Sequence, residues 1–213
     1  MFPLHDSIRT TKTPIFTWAF IIVNAWLFFL ELSRGEVFIL EYALIPANIN
    51  LLEASTLSPF LSSMFLHGGW FHLLSNMWFF YIFGDNVENA LGKIKFAGFY
   101  VFTGIVAGLT QYMFAPESTI PIVGASGAIA GILGAYLVFF PHAKITSLVP
   151  IFVFITVFDV PATLYLPYWF LLQLFSGVGQ VASGMLATTG GVAFLAHAGG
   201  FTVGYTIARY TKG

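Results

Sequence analysis

Six stretches of this chain are apolar over membrane-crossing lengths, and charged side chains are almost absent from them. They run roughly from Ile15 to Leu32, Trp70 to Phe83, Phe96 to Phe114, Pro121 to Phe140, Pro161 to Gly177 and Gly190 to Ala208. A helix needs about 20 apolar residues to cross the hydrocarbon core, so the pattern predicts an all-α membrane protein. Only 8% of the residues are charged and 58% are hydrophobic. A soluble domain carries about 25% charged residues, so this chain lacks the polar surface that water would require. The expected architecture is a compact bundle of six transmembrane helices, forming one domain over residues 1–213. The second stretch is short. The fifth follows an apolar run from Ile145 that is broken by Pro150, Asp159 and Pro161, which favours an interfacial piece followed by one helix over two imperfect spans.

The positions of lysine and arginine test this frame. With six spans, Arg9, Lys12, Lys93, Lys95, Lys144, Arg209 and Lys212 fall on one side and Arg34 alone falls on the other. The positive-inside rule then puts both termini in the cytoplasm. The polar start leads straight into an apolar stretch too long for a signal-peptide core, and the first helix reads as retained. The loop from Ser33 to Gly69 lies outside and keeps apolar runs such as Val37-Phe38-Ile39-Leu40, as expected of a segment lying in the interface. With no cysteine in the chain, disulfides, thiolate nucleophiles and cysteine-ligated metals are excluded. There is no basic patch for nucleic acid and no tandem repeat.

Polar residues inside spans are costly, which makes each a functional candidate. Asn76, Ser126 and His197 sit about five to seven residues past the outer starts of spans two, four and six, with His72 one turn above Asn76. They share one layer, about 8–10 Å below the outer surface, where water can reach them. Small residues crowd the serine and histidine helices, and Gly127 to Gly131 and Gly200 to Gly204 have the spacing that lets helix backbones approach closely. Such a pair can bring Ser126 within reach of His197. Imidazole can take the proton that makes a serine hydroxyl nucleophilic. Ser126 also lies near a helix start, where unpaired N–H groups favour negative charge, and His72 and Asn76 can donate to the same oxyanion. No carboxylate is expected at this depth, so the set is a Ser–His dyad. Each piece has a plainer reading. Gly-x-Ser-Gly also serves helix packing, and His197, His72 and Asn76 also serve as interhelical hydrogen bonds. Asp85 and Glu88 read as capping or loop-ordering groups, and His5 and His142 as solvated.

The chain resembles the rhomboid family of intramembrane serine proteases. The resemblance is carried by His67-Gly-Gly-Trp-Phe-His72-Leu-Leu-Ser-Asn76, Gly124-Ala-Ser126-Gly127, Ala196-His197-Ala-Gly-Gly200 with Gly204, and Gly84-Asp-Asn-Val-Glu88. It implies that Ser126 attacks the scissile carbonyl while His197 acts as base and then acid. It further implies an oxyanion hole of His72, Asn76 and the Ser126 N–H, with Gly124, Gly127, Gly200, Gly204 and His67 supporting the site. By the same resemblance the substrates are single-span membrane proteins cut in or near a segment that unwinds easily. Span five, around Trp169 and Phe170, and the loop after it would gate access. Two features depart from the family pattern. Arg34 has no tryptophan beside it, and Ala130 stands where some members carry an aromatic that stacks on the histidine.

Other functions compete. A rhomboid-like protein that binds membrane proteins without cutting them usually lacks the serine or the histidine, and both are present here. A small transporter or channel would place His72, Asn76 and His197 along a path, but charge is scarce in the spans. The expected partners are single-span protein substrates and the lipid bilayer. No cofactor or metal is expected, and small-residue motifs serve packing inside one bundle as well as between chains, leaving oligomeric state open.

Overall fold

The computed structural model describes residues 1–151, 154–185 and 192–212. Its long helices are α1 (Ile15–Arg34), α4 (Trp70–Leu91), α5 (Lys93–Phe114), α6 (Ser126–Phe139), α7 (Ala162–Ala182) and α8 (Phe194–Thr211). Two short helices, α2 (Glu36–Tyr42) and α3 (Pro59–Ser62), lie in the connection between α1 and α4. That connection exposes Val37, Leu40 and Leu52, matching the apolar loop read from sequence. By length and mean hydropathy, α1 and α5 are long and apolar enough to cross a membrane.

The chain is not wholly α-helical. Phe2–Asp6 forms β1, and Lys144–Ile151 and Phe154–Pro161 form β2 and β3. The order is β1-β2-β3, antiparallel throughout, with Lys144 opposite Pro161 and Ser147 opposite Phe158. β1 joins with Phe2 opposite Leu148 and Asp6 opposite Ile145. The segment before α7, expected to lie at the interface, is therefore a hairpin. Ile145, Thr146, Val149, Thr156, Val157 and Val160 are β-branched and suit a pleated surface. Pro161 ends β3 and stands at the N-cap of the next helix, just before its first residue Ala162. The sheet thereby fastens the near end of α7: Ala162 N–H donates to Ala143 O at 2.8 Å, and Tyr165 hydroxyl donates to Met1 O at 3.5 Å.

Two boundaries move for local reasons. α4 continues to Leu91, well past Phe83, because the polar groups that seemed to end it are satisfied by other segments. Glu88, which is buried, accepts the Phe16 and Thr17 N–H groups at 3.0 and 2.8 Å and the Thr17 hydroxyl at 2.8 Å. It thus caps the start of α1, where unpaired N–H groups favour an anion. Asn86 donates to Asp6 at 2.7 Å, and Thr10 donates to Asp85 at 3.0 Å. α6 starts only at Ser126, not at Pro121. Ile122 instead exchanges backbone hydrogen bonds with Leu44, and Gly124 turns the chain at φ +123°, a conformation open to glycine. Gly190 and Gly191, expected in the last span, lie outside the described residues.

α6 is the central element, and nearly all of its residues are buried. Its most extensive contact is with α8, and it runs through backbone. A Cβ added at Gly200 would overlap the Gly127 carbonyl, and one at Gly204 would overlap Gly131. Gly134 faces the Phe201 carbonyl and the Tyr205 N–H in the same way. Close approach of this kind is available only to residues without side chains. Beside this seam, Phe20, Phe80 and Tyr100 stack with centroids 4.3–6.3 Å apart.

Candidate active site

The α6–α8 seam sets the spacing of the site. Ser126 is the first residue of α6 and His197 the fourth of α8. Ser126 Oγ and His197 Nε2 are 2.7 Å apart, a short O–H···N distance. Gln111 braces the first turn of α8 by accepting the Ala196 N–H at 3.2 Å. His197 is 8% exposed, so its ring nitrogens depend on protein partners.

Its other nitrogen, Nδ1, lies 2.8 Å from Gln173 Oε1 on α7. Trp169, one turn earlier on the same helix, stacks on the imidazole with centroids 5.8 Å apart and planes at 30°. Both contacts are absent from the sequence reading above. The aromatic missing at Ala130 is supplied from another helix, and the partner of Nδ1 is an amide rather than a carboxylate. A signal existed for both, because Gln173 is one of only two amides in an otherwise apolar helix, the other being Gln180, and Trp169 lies four residues before it on the same face.

His72 and Asn76 approach from α4. A Cβ at Gly124 would stand 2.8 Å from His72 Nε2 and 3.5 Å from Asn76 Nδ2, so the bare glycine lets both side chains reach the serine's turn. His72 Nδ1 accepts the Gly68 N–H at 3.4 Å, which leaves the proton on Nε2, facing Gly124. Asn76 Nδ2 is buried without a hydrogen-bond partner among the described residues. A buried unpaired donor is expensive, and strained or catalytic sites are where such groups persist. A cavity of about 500 Å³ joins Ser126, His197, His72 and Asn76 and reaches Met64 and Gly108.

His67 stays outside the cluster of reacting groups. Its backbone N–H is held by both Glu31 oxygens at 3.1 Å, and its ring packs edge-on against His72 with centroids 5.1 Å apart. Burial pushes its pKa down to about 3, with the neighbouring His72 adding to the effect. It is therefore an uncharged packing group that backs the His72 ring. Among the described residues no cluster of histidine and carboxylate groups could hold a metal ion.

The Rhomboid domain family model matches residues 54–212, three quarters of the chain and every residue just described except Glu31. The chain belongs to the rhomboid family. Among curated relatives, Rhomboid protein 1, mitochondrial, of Saccharomyces cerevisiae is 29% identical over 154 residues, covering 70% of this chain and 40% of its own length. Rhomboid-like protein 11, chloroplastic, of Arabidopsis thaliana is 41% identical over 73 residues, 34% of this chain and 26% of its own. YdcA of Bacillus subtilis, named as a candidate rhomboid protease, is 38% identical over 77 residues, 36% of this chain and 38% of its own. The rhomboid chain described here thus spans between about a quarter and two fifths of the length of these relatives. Family and apolar helices together make it a membrane protein.

Proposed function

We propose that this rhomboid is an intramembrane serine endopeptidase, with Ser126 as nucleophile and His197 as its base. The observation that carries the reading is the 2.7 Å contact between Ser126 Oγ and His197 Nε2, beside the unpaired amide of Asn76. His197 Nε2 takes the hydroxyl proton as Oγ attacks the scissile carbonyl. The carbonyl oxygen becomes an oxyanion held by Asn76 Nδ2, His72 Nε2–H and the backbone N–H of Ser126, which opens α6 and has no helical acceptor. His197 then gives its proton to the leaving amine, and the acyl-serine is released when the same imidazole activates a water.

The substrate is a single-span membrane protein whose helix loosens at the cut site, because an intact helix buries its carbonyls in its own hydrogen bonds. Residues 1–213 form one domain of six spans, α1 and α4 to α8, with both termini and the β-sheet cytoplasmic and the cavity opening outward. The lysine and arginine distribution supports that orientation, and water then reaches the acyl-serine from outside. α7 yields to admit the substrate.

The test is cleavage of a single-span reporter in liposomes by the wild type and by Ser126→Ala, with fluorophosphonate labelling alongside. Wild type should cleave and label, and Ser126→Ala should do neither. Equal cleavage by both, or a wild type that binds reporters and never takes the probe, refutes the assignment.

A further inference from the structure

His197 has two ring nitrogens and one ring proton, and the mechanism works with only one placement of that proton. Nε2 must present a lone pair to the Ser126 hydroxyl, so the proton must be on Nδ1. In water the two neutral tautomers are close in energy, and a base that spends much of its time in the wrong one is slow. What faces Nδ1 therefore matters as much as what faces Nε2.

Resting on the protease reading, we infer that Gln173 is a positioning residue that holds His197 in its reactive tautomer. The amide oxygen of Gln173 lies 2.8 Å from Nδ1 and can only accept. With the proton on Nδ1, that contact is a hydrogen bond, and Nε2 is free to accept from Ser126. With the proton on Nε2, Nδ1 and Gln173 Oε1 would be two acceptors facing each other at hydrogen-bond distance inside a buried site, a repulsive arrangement. With its oxygen turned toward the ring, this neutral amide favours the reactive tautomer without burying a charge. It also suits the next step. When Nε2 takes the serine proton, the ring becomes a cation and Nδ1–H points along the amide dipole, so the same bond strengthens as positive charge develops. Trp169 lies over the same ring, with centroids 5.8 Å apart and planes at 30°, and covers the imidazole face beside the Gln173 contact.

A purely structural role for Gln173, pinning α7 to α8, predicts different data. The discriminating experiment uses the full-length protein in detergent and compares wild type, Gln173→Leu and Gln173→Glu. Two readouts are taken: the fluorophosphonate labelling rate of Ser126, and the ¹⁵N shifts of His197, identified by their loss in His197→Ala. Gln173→Leu should slow labelling about tenfold, the scale of one neutral hydrogen bond, and its His197 should acquire a population protonated at Nε2. For the cleaved reporter the loss should appear in kcat with KM unchanged. Gln173→Glu keeps an acceptor and should label within about threefold of wild type. The inference is overturned if Gln173→Leu labels at the wild-type rate, or if its rate falls while His197 stays protonated at Nδ1. Should Gln173→Leu not fold, Gln173→Glu decides alone: folded protein that fails to label overturns the inference, and labelling at near wild-type rate supports it. A wild type that takes no probe overturns the protease reading itself, a result distinct from any of these.

Discussion

Replacing Gly200 by alanine should separate the two halves of the site. Gly200 lies one turn below His197 on α8, and a Cβ there would overlap the Gly127 carbonyl oxygen and approach its carbon to 3.1 Å. The obstacle is backbone, so no side chain can swing aside, and the helices must part. An ordinary carbon–oxygen contact requires a displacement of about 1 Å. Gly127 is the residue after Ser126, so the displacement falls on the 2.7 Å contact between Ser126 Oγ and His197 Nε2. That contact would lengthen to about 3.7 Å, past the reach of a hydrogen bond. The overpacking should cost about 1–3 kcal/mol of stability. Loss of the positioned base should slow fluorophosphonate labelling by about two orders of magnitude or more. The assay is labelling rate and thermal midpoint for Gly200→Ala beside Gly98→Ala, whose new Cβ would meet open space. The Gly98 variant should match wild type. If Gly200→Ala labels at the wild-type rate with an unchanged midpoint, the seam does not set the spacing of the pair, and the reasoning fails.

Other perturbations follow from the same geometry. Asn76→Ala removes an oxyanion donor and should lower kcat about 10²–10³-fold with little change in KM, as read with a cleaved reporter; an equal loss in binding would count against the role. Glu88→Ala strips the cap from α1 and leaves the N–H groups of Phe16 and Thr17 unpaired, which should cost about 1.5–3 kcal/mol and lower the thermal midpoint, while Glu88→Gln should recover part of it. Asp6, in β1, has its pKa raised to about 6, chiefly by burial and also by the charge of Asp85, against the Tyr136 hydrogen bond that lowers it. A carboxyl group raised in the folded state favours folding fully below its unfolded value near 4, and that contribution is lost as pH rises through about 6. Thermal midpoints between pH 4 and pH 7 should therefore fall more steeply in wild type than in Asp6→Asn, and parallel curves would dismiss Asp6 as the titrating group.

What could be read in advance divides along physical lines. Apolar length is a property of the chain itself, and helices stand over all six stretches. The small residues of the fourth and sixth stretches likewise announce a close helix pair, since few other arrangements use so many glycines. The end of α4 was hidden because Asp85, Asn86 and Glu88 look like a polar stop until Thr10, Asp6 and Thr17 are brought to them from 71 to 80 residues away. The sheet was hidden for a related reason. An apolar, β-branched run in a membrane protein reads as another interfacial segment, and β1 has no strand character without its partner. The contacts of Gln173 and Trp169 with His197 are not legible from spacing, because an amide and a ring from a third helix take the places where a carboxylate near His197 and an aromatic near Ser126 are expected.

The sheet also imposes an order on assembly. Phe2–Asp6 leaves the ribosome about 140 residues before β2, the strand it pairs with, so it waits unpaired while the helices between them are made. Four long helices can already be inserted while the helix that carries Gln173 is still unmade. Both other strands are made before α7, so the sheet can close on Phe2–Asp6 before Gln173 and His197 have been synthesised. The foot of α7 then emerges beside a sheet already in place.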